Sequence, residues 1–149
     1  MRFVIVILIL VVGMLAIVVP LAAHHSFPSQ FDVNKPSTMD GKVTTVQWGN
    51  PHVSVFMNVT DKTNGTVNWE IQLTSPQALI GNGWKNDTLR AGMAVCVEGF
   101  PAKDGKHVFG GASSLIVKAT GQVLKIQGKI LWIPPEYLGK SSCSHRDSR

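Results

Sequence analysis

Two runs of strict alternation around an Asn-Gly pair constrain this chain more than any other feature. From His52 to Thr60, Val53, Val55, Met57 and Val59 are apolar, with His52, Ser54, Phe56 and Asn58 between them. From Val67 to Leu73, apolar Val67, Trp69, Ile71 and Leu73 interleave with Asn68, Glu70 and Gln72. A period of two sends successive side chains to opposite faces of a strand, so each run buries one face. Asp61-Lys62-Thr63-Asn64-Gly65 separates them, and Asn-Gly supplies the positive φ angles of a tight hairpin turn. A third β-rich run, Lys42 to Trp48, precedes the pair, which makes a three-strand meander.

The period then changes. Ser75-Pro76-Gln77-Ala78-Leu79-Ile80 has serine at the N-cap and proline in the first turn, the start of a short helix. Met93 to Glu98 reads as a fourth strand, and Ala102 to Lys106 as a second hairpin turn around Gly105. A fifth strand runs from His107 to Val117, with a bulge expected at Gly110-Gly111. Three strands, a short helix and two more strands is the element order of a five-stranded, OB-like β-barrel, with an open sandwich as the rival arrangement. In that reading Trp69 belongs to the core and Phe56 is a surface aromatic. Beyond Thr120, Val123 to Ile126 and Lys129 to Ile133 are each suited to an extra strand. Pro134-Pro135 ends regular structure, and the polar segment from Lys140 to Arg149 is expected to be disordered.

The opposite end reads as an export signal. Phe3 to Val19 holds no charged residue, Arg2 precedes it, and Pro20-Leu21-Ala22-Ala23 follows, the parts of a cleavable secretory peptide cut after Ala23. Retention as a membrane anchor is the alternative, since about 20 apolar residues suffice to span a bilayer. The division is therefore a signal peptide over residues 1–23, a barrel over 24–120 and a C-terminal extension over 121–149. The barrel is expected in the periplasm or secreted, or facing the periplasm if the anchor is kept.

Charge narrows the choice of partners. The chain carries a formal +5, but His24 to Thr120 holds eight Lys/Arg against seven Asp/Glu. The basic excess lies in the tail, so the barrel lacks an electrostatic footprint for nucleic acid. Cys96 and Cys143 are the two cysteines. Outside the cytoplasm they are able to pair, if the fold brings them together.

Several fragments taken together resemble one family. They are His24-His25-Ser26-Phe27, Phe31-Asp32, Lys35-Pro36, Asn50-Pro51-His52-Val53, Ser75-Pro76 with Leu79 and Gly83-Trp84, and Ala102-Lys103-Asp104-Gly105. The chain is similar over about His24 to Val117 to the bacterial secreted proteins grouped as domain of unknown function 6152. That resemblance implies a bacterial exported protein and brings no activity with it.

Candidate chemistry centres on histidine. Cleavage after Ala23 makes His24 the first residue, whose free amine and imidazole Nδ1 chelate one ion. A second imidazole completes a nitrogen site suited to copper(II), which favours tetragonal nitrogen and oxygen donors. His52 is the best-placed partner, with His25 or His107 as substitutes. Cleavage after Ala22 instead puts histidine second and third from the amine, also a copper-competent end. The plainer reading is that two terminal histidines bind added copper weakly and His52 caps a strand. A non-catalytic module for an envelope protein or glycan is the alternative function. No nucleophile elbow, His-Glu-x-x-His helix or phosphate loop points to an enzyme. Asp61, Asp87 and Asp104 fall at turns, where such residues serve the backbone.

Overall fold

The computed structural model describes residues 26–61, 65–127 and 143. A short helix α1 (Phe27–Gln30) leads to β1 (Ser37–Gln47), β2 (Ser54–Asp61) and β3 (Gly65–Gln72). Helix α2 (Pro76–Gly81) follows, then β4 (Ala94–Pro101), β5 (Val108–Val117) and β6 (Gln122–Lys125). Ser75 caps α2 as its sequence implies, with the Ala78 amide donating to Ser75 Oγ at 3.3 Å. Residues 1–25, including the apolar run, lie outside the described set. Among the described residues no helix is long and apolar enough to cross a membrane.

β1 pairs antiparallel with both β2 and β4, β2 with β3, and β4 with β5. A parallel pairing of Glu70, Ile71 and Gln72 with Val108, Phe109 and Gly110 closes the ring. The result is a closed five-stranded, OB-like barrel with α2 between β3 and β4, the architecture the element order implied. β6 extends β5 outward, pairing Val123 with Ile116 and Leu124 with Leu115. Of the two extra strands considered, Val123–Ile126 supplies this one, and Lys129–Ile133 lies outside the described residues.

The alternation holds in the core away from the hairpin turn, whereas Val59, Val67 and Trp69 nearer the turn are half-buried. Val53, Val55 and Met57 of the β2 run, and Ile71 and Leu73 of the β3 run, are fully or almost fully buried. They pack with Val95, Val97, Phe109, Leu115 and the helix residue Leu79. Ile126 is fully buried in the same cluster. The expected irregularity in β5 sits slightly later than Gly110-Gly111. The register shifts between the Val97–Leu115 and Gly99–Gly111 pairs, within residues 112–114.

The two glycines serve close packing instead. A Cβ on Gly111 would meet Leu73 at 2.9 Å inside the barrel. One on Gly110 would meet the Phe27 ring at 2.5 Å and Phe31 at 2.9 Å outside it. A second, smaller core of Phe31 and Phe100, flanked by Phe27, Val33 and Val108, therefore sits on the outer side of β4 and β5.

Candidate functional site

The amino-terminal segment is fixed over the seam where β3 meets β5. Pro28 enters the first turn of α1, and the Phe31 amide closes that turn on the Phe27 carbonyl at 2.9 Å. Phe31 bridges Ala102 in antiparallel fashion, and the Asp32 amide donates to the Pro101 carbonyl at 2.9 Å. The Lys103 amide donates to the Gln30 carbonyl, and Lys103 Nζ to the Pro28 carbonyl at 2.7 Å. Phe27 lies 4.5 Å from Phe31 and edge-on to Phe100 at 6.1 Å, measured between ring centroids. These aromatic contacts hold α1 against the barrel wall.

His52 lies at the mouth of that arrangement. It is exposed just before β2, next to the Asn50-Pro51 pair, while the adjacent Val53 is held by reciprocal bonds to the strand-three run. The Val53 amide donates to Thr74 O at 3.1 Å, and the Leu73 amide to Val53 O at 2.8 Å. A cavity of about 130 Å³ is lined by His52, Phe27, Gln30, Phe31, Gln72 and Gln127, among others. His52 and the first turn of α1 thus share one small space, with neutral amides around it.

A larger depression of about 580 Å³ adjoins it through Gln30, Phe31 and Gln72, and reaches Glu70, Lys103, Asp104 and Lys106. Its ionic groups are largely matched. Ser54 Oγ donates to Glu70 Oε1 at 2.7 Å. Lys106 Nζ lies 2.9 Å from Asp104 Oδ2. The hydrogen bond from Lys106 holds the exposed Asp104 carboxyl below its usual range, and Asp104 raises Lys106 in return. Asp87 is lowered in the same way by Arg90, and Asp32 by Lys35. Asp87 and Asp104 sit at turns, as their sequence positions implied, and Asp32, Asp87 and Asp104 each hold a local ion pair.

The four sequence candidates are distributed unevenly. His24 and His25 lie outside the described residues, immediately before Ser26. His107 does not join His52. It lines a separate groove on the β2–β3 hairpin, its ring 4.9 Å from that of Trp69. Among the described residues no three His, Cys, Asp or Glu side chains come together as a metal cluster. Trp69, expected in the core, is only partly buried and packs at the edge of the main cluster. Gln30, Gln72 and Gln127 around His52 were not singled out by sequence reasoning, because amides at scattered positions carry no motif.

No curated protein matches the chain. A family profile does match, over residues 12–111, a span that takes in the run before α1, His52 and the start of β5. The chain belongs to the family of unknown function DUF6152.

Proposed function

We propose that the protein is an exported barrel that binds copper(II) where its mature amino terminus meets His52. The observation that carries this reading is the shared cavity of His52 and α1. Phe27 is three residues from His24, and three extended residues span at most about 10 Å. A chain cut after Ala23 therefore begins within reach of the His52 imidazole. The amine and Nδ1 of His24 would supply two nitrogens and His52 a third, a donor set that favours copper(II) among available divalent ions. Among the described residues the lining includes the neutral amides of Gln30, Gln72 and Gln127, which would leave a bound ion its net positive charge.

The same reading places the protein outside the cytoplasm, in the periplasm or secreted, where an amine-terminal histidine is generated by signal cleavage. The experiment is copper titration of protein that begins at His24, followed by competition with a chelator and by electron paramagnetic resonance. One equivalent should bind with a nitrogen-rich signal. His52→Ala should weaken binding roughly tenfold or more, whereas one extra residue ahead of His24 puts His25 third from the amine and should make copper binding independent of His52. Unchanged affinity in His52→Ala would sink the two-histidine site.

A further inference from the structure

The barrel wall forks between β1 and β2. The two strands stay paired only as far as Lys42 and Asn58. Beyond that point β1 follows β4 from Lys42 back to Ser37, while β2 continues with β3 to Asp61. Gly41 stands at the fork, where a Cβ would meet Asn58 O at 2.8 Å and Met57 Sδ at 2.9 Å. Past the fork the inward-facing hairpin residues Val59, Val67 and Trp69 lose their opposite wall and are half-buried. They line a groove of about 620 Å³ whose other bank is β1, through Thr38, Met39 and Asp40. His107 adds an aromatic corner to the lining, its ring 4.9 Å from that of Trp69.

The β1 bank also adjoins the disulfide. Asp40 stands directly opposite Cys96 in the β1–β4 register, one strand spacing of about 4.8 Å away. Cys96 is bonded to Cys143 with 5.7 Å between their Cα atoms, and both are buried, at 2% and 4% exposure. Cys143 is therefore a fixed point beside the groove. Apart from Cys143, the stretch from Lys140 to Arg149, expected from its composition to be disordered, lies outside the described residues. Ser144-His145-Arg146-Asp147-Ser148-Arg149 departs from that anchor. Arg146 is three residues on and Arg149 six, with reaches of at most about 10 and 20 Å.

Asp40 and Asp61 in the lining already have partners, Lys118 Nζ meeting Asp40 at 3.1 Å. Charge alone thus selects no occupant, but the tether does. A short tether holds a segment beside its site at an effective concentration of about millimolar. The groove also suits an arginine. No Lys or Arg is among its described lining residues, and a guanidinium stacks on an indole face.

We infer that this groove is the docking site of the chain's own residues 144–149, delivered by the Cys96–Cys143 bridge, with an arginine stacked on Trp69. The contact is separate from the His52 cavity and independent of metal.

The test is two-dimensional NMR of the oxidised full chain in the presence of a chelator. It is compared with a protein ending at Cys143 and with an Arg146→Gln, Arg149→Gln double variant. Trp69→Phe identifies the Trp69 indole signal by its disappearance. Both changes should move that signal and the His107 amide in the same direction. Core signals from Val55 and Ile71 should stay in place, since neither change touches the barrel. Backbone order parameters at Arg146 and Asp147 should exceed about 0.6, the upper bound of flexible chain, and fall below it in the double variant. Unmoved Trp69 and His107 signals in either variant overturn the inference, as do order parameters in the flexible range for the unaltered chain. Shifts of the same signals with protein concentration also overturn it, because a second copy would then occupy the groove.

Discussion

Gly110 shows how much one missing side chain determines. Its outward face carries the rings of Phe27 and Phe31, with contacts a methyl group would violate by several tenths of an ångström. Gly99, its neighbour on β4, is as tightly placed against the Gly110 carbonyl. These glycines are needed for close approach and not for turn geometry, which Gly65 and Gly105 supply with φ of 73° and 74°. Gly110→Ala is therefore expected to cost about 1–3 kcal/mol, the usual range for overpacking. The damage should concentrate on α1. Urea denaturation would measure the loss, and copper titration of the same variant should show weaker binding, since the proposed site relies on Phe27 to hold α1 next to His52. A stability change without any change in copper affinity would separate the two roles.

Among the elements, β6 depends on one side chain that is remote in sequence. Trp84 lies in the loop after α2, is only 3% exposed, and donates through Nε1 to the Lys125 carbonyl at 2.6 Å. Asn82 Nδ2 reaches the next carbonyl, that of Ile126, at 3.1 Å. Together they fasten the end of β6 over the helix, with Ile126 buried beneath. Trp84→Phe keeps most of the apolar contact but leaves the Lys125 carbonyl without that donor. The expected loss is about 1–3 kcal/mol, with faster amide exchange across β6 than across β2 and β3. Equal acceleration in all strands would mean that the indole stabilises the barrel globally. The sequence marked α2 and the strand-like run at Val123, because capping and β-branched composition are local signals. It held no sign that Trp84 joins them, since that contact spans 41 residues.

For the molecule as a whole, the long-range tie is covalent. Cys96, on the outer face of β4, is joined to Cys143, with 5.7 Å between their Cα atoms. The bridge closes a loop of 47 residues, worth about 4 kcal/mol in a chain-entropy treatment. Reduction should lower the urea midpoint accordingly, and Cys143→Ser should reproduce the shift without a reductant. A midpoint indifferent to reduction would show that the barrel is unaffected by how its C-terminal segment is held. Sequence alone left this pairing open, because two cysteines permit a bridge without showing that they meet.

What the sequence determined by itself is the set of local choices. Alternation named the buried faces of β2 and β3, Ser75 and Pro76 marked the helix, and Gly65 and Gly105 marked turns. Element order was enough to imply a five-stranded barrel. It also singled out His52, as a polar residue entering an otherwise regular strand. Tertiary structure decided everything that depends on residues far apart in the chain. The parallel β3–β5 seam puts α1 beside His52 and parts His52 from His107. The fork of β1 from β2 leaves Trp69 half-exposed, although its spacing matches that of core residues. Periodicity records which side of a strand a residue faces, whereas closure determines what stands opposite that side. Only the closed barrel, therefore, turns an inward-facing tryptophan into the wall of a groove.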